Sequence, residues 1–218
     1  MKYSMDNPTI SVIIRNRNEE QHIGFAIQSV LDTFKKPEII VVDNNSTDNS
    51  MGIVNTFDFE NIKTHSIDSY TPGKSLNYGV TKCSNDYILI LSAHSQIMNC
   101  EFEKIQDLLE ENCVVGGKQI PVWNGKKISR RYVWSNFIEN DVINQFSENE
   151  NRYFLHNAFA FYTKQTLTEY PFDENLSGKE DRYWINDRIK QGMDSYYDSV
   201  TICHHHYTDN GATWKGIG

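Results

Sequence analysis

Asp86-Tyr87-Ile88-Leu89-Ile90-Leu91-Ser92-Ala93-His94-Ser95-Gln96 decides how the rest of this chain is read. Tyr87 to Leu91 is a short, unbroken apolar run with an aromatic and β-branched residues, as in a central strand buried on both faces. It stops at the small and polar residues Ser92, Ala93, His94 and Ser95. Ligands of open α/β sheets sit at the carboxyl ends of the strands, so chemistry is expected where this run stops. A strand followed by a polar turn is common to all α/β proteins. The flanking segments give it meaning.

Upstream, Thr9 to Ile14 reads as a first buried strand, broken by Arg15-Asn16-Arg17-Asn18-Glu19-Glu20. Asn18 followed by Gln21 has capping-box spacing, and Ile23, Ala26, Ile27, Val30 and Leu31 form one stripe of an amphipathic helix. Glu38 to Val42 reads as a second strand ending at Asp43, with Ser46 or Thr47 placed to cap the next helix. Ile62 to Ile67 reads as a third strand. Pro72-Gly73 reads as a turn before a short helix carrying Leu76, Gly79, Val80 and Cys83. The alternation β-α-β-α-β-α-β predicts a doubly wound, mostly parallel sheet.

Downstream, Phe102, Ile105, Leu108 and Leu109 suit a further helix, and Val114 to Gly117 a short strand. Gln119 to Phe154 reads as irregular and rich in Trp123, Arg130, Arg131, Tyr132 and Trp134. Phe159 to Tyr162 reads as a strand, Glu180 to Gln191 as a helix stopped by Gly192, and Val200 to Cys203 as a last strand leading into His204-His205-His206. Trp214 to Gly218 carries no stop signal, as in a chain that continues.

Composition bounds the function. A chain of 218 residues, 39% apolar, 23% charged and 12% aromatic, is expected to fold as one globular domain, residues 1–218. A formal net charge of −8 offers no footprint for a nucleic-acid backbone. No run is long enough to span a membrane. Cys83, Cys100, Cys113 and Cys203 are scattered without a CxxC pair, and Met1 to Pro8 is polar. Reduced thiols and a cytoplasmic location are expected.

Several residues could carry chemistry. Asp43, at a strand's carboxyl end, could accept hydrogen bonds from a ribose or base, or simply close an Asx turn. Glu180 and Asp181 open a helix, where acids complement the macrodipole; one of them could equally be a general base. His94, His204 and His206 are nitrogen donors brought to one sheet edge, either metal ligands or polar strand ends. Alternation makes His204 and His206 the inward pair, with His205 facing out. His22 and His65 are expected to be structural, and His156-Asn157 is a further candidate.

Taken in order, these residues resemble the family 2 glycosyltransferases of GT-A fold. Ser11 to Glu19 looks like the family's opening strand and turn, and Ile40-Val41-Val42-Asp43-Asn44-Asn45-Ser46-Thr47-Asp48 is similar to its Val-Val-Asp-Asp-Gly-Ser-Thr-Asp signature. Gly73 to Gly79 resembles the Gly…Asn-x-Gly before the metal strand. Phe172-Asp173-Glu174 with Gly178-Lys179-Glu180-Asp181 resembles the segment holding the catalytic pair. His204-His205-His206 falls where the family often places a metal-binding histidine. One departure stands out: Ser92-Ala93-His94 replaces Asp-X-Asp, so the first carboxylate is lost while His94 can still ligate.

The resemblance implies an inverting transfer from a nucleotide-sugar donor to a glycan or lipid-linked acceptor, in surface polysaccharide assembly. It implies Asp181 as base with Glu180 beside it. Arg15, Asn16, Asp43, Lys74, Asn77 and Ser92 would lie on the donor, and His94 with His204 or His206 on a divalent cation. Imidazole ligation favours manganese over magnesium; the rival is a metal-independent enzyme using cationic side chains. Trp123, Tyr132 and Trp134 would stack on sugars or fill the core. Residues 9–98 would form the nucleotide-binding half and 99–218 the acceptor-binding, catalytic half, with peripheral contact to the inner membrane face. Ser92 also suits a degenerate sugar-nucleotide or glycan-binding module. A sugar-1-phosphate nucleotidyltransferase ranks low because no glycine occurs between the first strand and Gly24, and a dehydrogenase because GxGxxG is absent.

Overall fold

The computed structural model of the protein describes residues 10–127, 132–209 and 211. Arg130, Arg131, the Tyr132 side chain and Trp214 to Gly218 lie outside the described residues.

The chain opens with β1 (Ser11–Asn16), α1 (Ile23–Thr33), β2 (Glu38–Asp43), α2 (Ser50–Val54), β3 (Ile62–Ser66), α3 (Pro72–Lys82) and β4 (Tyr87–Ser92). The alternation read from the sequence is therefore present. β5 (Ser95–Asn99), α4 (Phe102–Glu111) and β6 (Asn112–Trp123) follow. Two-residue strands come next: β7 (Lys126–Lys127), β8 (Val142–Ile143), β9 (Phe146–Ser147) and β10 (Arg152–Tyr153). β11 (Phe159–Thr163), α5 (Lys164–Glu169), α6 (Glu180–Lys190) and β12 (Asp194–His206) complete the fold.

The main sheet runs β3-β2-β1-β4-β11-β6-β12-β5. β3, β2, β1 and β4 are mutually parallel, β11 is antiparallel to β4 and β6, and β12 runs parallel to β6. Period-two side chains divide the core between the faces. Val12, Ile14, Leu89 and Leu91 meet α1 and α4 through Ile23, Ile27, Val30 and Ile105. Ile13, Ile88 and Ile90 meet α3 and α6 through Leu76, Val80 and Ile185. Helices on both faces are the doubly wound arrangement that the alternation predicts, as the resemblance to the GT-A fold implies.

Local expectations needed correcting. Asn18 does not cap α1; it sits left-handed at φ 53°, and its Oδ1 accepts from Thr47 N at 2.7 Å. Ser46 does not cap α2, because its hydroxyl is drawn to Asp43 Oδ1 at 2.6 Å. Gly73 lies inside α3, whose N-cap is Thr71 with Pro72 in the first turn. A Cβ at position 73 would come 2.4 Å from the Asp173 carbonyl oxygen, and one at Gly79 2.7 Å from Ile13 Cγ2. These glycines thus let α3 seat against the sheet and against the segment leading to α6. β6 and β12 are both longer than their apolar centres, since their outer residues are held by cross-strand pairing.

Candidate active site

Register brings distant residues to one edge. Arg15 pairs with Ser92, Asn16 with Asp43, and Asp43 with Ser66, so the carboxyl ends of β1, β2 and β4 finish level. Above them opens a cavity of about 620 Å³. The Arg15 to Glu19 turn, Ser92 and His94 line one side, and His156, Asn157, the Ser177 to Arg182 segment and His205 the other.

The floor under the Arg15 turn is a small polar lattice. Asn16 Nδ2 donates to Asp43 Oδ1 at 2.8 Å, and the Ser46 N–H donates to Asp43 Oδ2 at 3.0 Å. With the Ser46 hydroxyl also bound, Asp43 is buried beneath the cavity as a turn organiser and is not part of its lining. Asn16 and Ser92 do line it.

The second wall is the start of α6. Lys179, its N-cap, adopts φ 60°, a strained conformation for a non-glycine residue and one that concentrates at functional sites. It presents Glu180 and Asp181 to the cavity, both buried. Asp181 accepts from Asn157 N at 3.0 Å, Arg182 N at 2.8 Å and Arg182 Nη1 at 2.7 Å. Glu180 receives Arg15 Nη1 at 3.2 Å. Adjacent carboxyls thus diverge. Burial, then the Asp181 charge, raises the Glu180 pKa. Burial would raise Asp181 too, but Arg182, His156 and two backbone N–H groups outweigh it and hold its pKa down. Burial and the Arg182 charge push the His156 imidazole down to about 3, against the pull of Asp181.

The histidines correct the strand-phase reading. His205 is fully buried and faces the cavity, whereas His204 and His206 are only partly buried and do not line it. Thr201 and Cys203 take the covered face of β12, leaving Ile202 half-buried. His205 Nε2 lies 3.0 Å from His94 Nε2, and Glu19 Oε1 lies 3.1 Å from His94 Nδ1. Gln119 Nε2 donates to the His156 carbonyl at 3.1 Å, which turns Gln119 Oε1 to His205 Nδ1 at 2.9 Å. This pattern puts the hydrogen on both Nδ1 atoms, so the two Nε2 atoms face each other as acceptors, with Ser92 Oγ 3.2 Å from His94 Nε2. Such a pair is repulsive unless a proton or cation lies between, and about 2.9–3.4 Å separates neighbouring nitrogens around one ion at ~2.0–2.1 Å. No group of three His, Cys, Asp or Glu among the described residues is arranged to hold a metal ion. His94 and His205 thus bring two nitrogens together at the cavity.

Other candidates lie apart. Lys74 is exposed and donates to Ser69, and Asn77 clamps Phe172 through its N–H and carbonyl at 3.0 and 2.9 Å. Neither lines the cavity. Trp134 is core, its ring 5.3 Å from that of His205, whereas Trp123 is 49% exposed beside Tyr207. Glu19, His205 and Arg182 were not singled out from sequence. An acid before a helix, a middle histidine and a helix arginine carry no local signal of their tertiary partners.

The family model for glycosyl transferase family 2 matches residues 11–170. The chain belongs to that family. This family 2 chain is 24% identical over 193 residues to a GalNAc(5)-diNAcBac-PP-undecaprenol beta-1,3-glucosyltransferase of Campylobacter jejuni, covering 82% of the chain and 59% of that protein. It is 30% identical over 115 residues to an uncharacterized glycosyltransferase of Haemophilus influenzae, covering 51% and 46%. The chain thus spans about half the length of the curated relatives it matches. Among solved structures, S. aureus TarS 1-349 in complex with UDP-GlcNAc superposes with TM-score 0.72 at 21% identity, over 96% of this chain and 62% of that one. At that identity the likeness speaks for the fold. Glu180, Asp181 and His205 all lie beyond the residues the family model matches, so their placement rests on the tertiary structure.

Proposed function

We propose that this chain is an inverting glycosyltransferase that moves a sugar from a nucleotide-sugar donor to a glycan or lipid-linked acceptor in surface polysaccharide assembly. One observation carries the reading: the Asn16/Ser92 edge, the His94–His205 pair and the Glu180–Asp181 pair share a single cavity at the carboxyl edge of the parallel half. The name of the Campylobacter jejuni relative describes a glucosyl transfer to a lipid-linked glycan, and TarS was solved with UDP-GlcNAc; both support the substrate classes. No helix among the described residues is long and apolar enough to cross a membrane. Contact with a lipid-linked acceptor at the inner membrane face is part of the proposal.

In this reading residues 9–98 bind the nucleotide and 99–218 hold the acceptor and the base. The acceptor oxygen attacks the anomeric carbon, the carbon–oxygen bond to the diphosphate breaks, and the hydroxyl proton passes to Asp181 Oδ. Asp181 suits this because three donors fix it ionised in one place. Glu180, tied to Arg15, orients that wall. His94 and His205 would hold a divalent cation, preferably manganese because both donors are nitrogens, and it would neutralise the leaving diphosphate. Exposed Arg17 adds a positive charge at the same mouth.

Calorimetry with UDP-, GDP-, dTDP- and CMP-sugars, with and without manganese, tests this. One nucleotide class is expected to bind, and more tightly with the ion; no binding by any would sink the reading. In the same titration Asp43→Ala is expected to weaken nucleotide affinity by about 1–3 kcal/mol through collapse of the Asn16–Ser46 lattice. An unchanged dissociation constant would leave Asp43 a turn residue without consequence for the donor.

A further inference from the structure

Glu19 is the acid of the β1–α1 turn, and its main chain is secured without its side chain. The Glu19 N–H donates to Ser50 Oγ at 2.8 Å, and its carbonyl accepts from His22 N and Ile23 N, both at 2.9 Å, starting α1. The carboxylate is nonetheless buried, 6% exposed, beside the cavity. A buried carboxylate is costly unless its oxygens are used. Oε1 meets His94 Nδ1, while Oε2 has no hydrogen-bond partner among the described residues. Neither fact is explained by starting a helix.

We propose that Glu19 positions His94 as a metal ligand, supplying from the first turn of the fold the carboxylate that Ser92 does not bring at the end of β4. By accepting the Nδ1–H, Glu19 excludes the other tautomer and fixes the ring, so that His94 Nε2 keeps its lone pair on the side of His205 Nε2 and the Ser92 hydroxyl. Gln119 does the same for His205, with a neutral amide in place of a charge. A carboxylate on the far nitrogen also makes an imidazole the stronger donor to an ion. This inference rests on the reading of His94 and His205 as a cation site, and its test separates the two.

Metal-free protein would be titrated with Co²⁺, whose visible absorption reports nitrogen ligation, and with Mn²⁺ by calorimetry. Imidazole ¹⁵N spectra of the same samples report the His94 tautomer. Wild type is expected to bind, and His94→Ala and His205→Ala to lose the cobalt signature. Glu19→Gln, which keeps shape and an acceptor but no charge, is expected to bind about tenfold more weakly, and Glu19→Ala about 100-fold, the range seen when such outer partners are removed. The Glu19→Ala spectrum should also show His94 released from the Nδ1–H form. Cobalt binding at wild-type affinity in both Glu19 variants, with the His94 tautomer unchanged, overturns the inference while leaving the cation site standing. Wild type that binds neither ion, alone or with UDP, overturns the cation reading and this inference with it. Should Glu19→Ala fail to fold, Glu19→Gln alone decides.

Discussion

Asp181→Asn is expected to bind donor as wild type does and to lose about 10²–10⁴-fold in turnover, the scale of removing a general base. The Asn157 and Arg182 N–H groups donate to different oxygens of Asp181, so asparagine keeps an acceptor for one of them only, and wild-type donor affinity is the check that the start of α6 holds its shape. What is lost is the charge and the site for the proton. The neighbouring carboxyl supplies the control. Burial and the Asp181 charge raise the Glu180 pKa, whereas Arg182, His156 and backbone donors keep Asp181 low despite its burial. A base must be unprotonated to act. If Asp181 is the base, lowering the pH from neutrality does not protonate it until well into the acid range. If Glu180 is the base, activity falls sooner, as pH drops through its raised pKa. Steady-state kcat against pH for wild type, Asp181→Asn and Glu180→Gln separates the two. Unchanged turnover in Asp181→Asn sinks the assignment and moves the role to Glu180.

His205→Ala is expected to cost about 10²–10³-fold in manganese-supported turnover, because a cation acting on a leaving diphosphate contributes several kcal/mol. His204→Ala, one residue back along the same strand but facing outward, should stay near wild type. The contrast is sharp because both substitutions remove the same group from adjacent residues. Activity in EDTA, followed by restoration with manganese or magnesium, completes the test. Manganese should restore more than magnesium, since magnesium prefers oxygen ligands in strict octahedral geometry. Full turnover in chelator would remove His94 and His205 from the metal role. The diphosphate would then depend on Arg17 and its cationic neighbours.

The parallel half of the sheet was legible because its information is local. Uninterrupted β-branched runs, helical stripes at three- and four-residue spacing and polar turns each express a repeat within a dozen residues. Those same runs end at Asn16, Asp43 and Ser92, so the edge over which the cavity opens was legible too. The Glu180-Asp181 pair opening a helix could be seen, as could the histidines converging on one edge.

What only the tertiary structure decided depends on partners far away in the chain. Alternation along β12 has two possible phases, and Thr201 and Cys203, not Ile202, fill the covered face; that choice turns His205 inward and His204 and His206 outward. Irregular pairing of β12 with β6 and β5 shifts the register along it, which no period-two count includes. The unequal basicity of Glu180 and Asp181 is set by Arg15, Asn157, His156 and Arg182, because a pKa reports the surrounding field and not the residue type. Glu19 reads locally as one more acid before a helix. Its meaning comes from His94, 75 positions on, whose ring nitrogen it meets across the cavity wall. Sequence patterns thus settle which elements form, since each element's hydrogen bonds close within itself or its neighbour. Which side chains meet above the sheet is settled by register and strand phase, which exist only once the strands have paired.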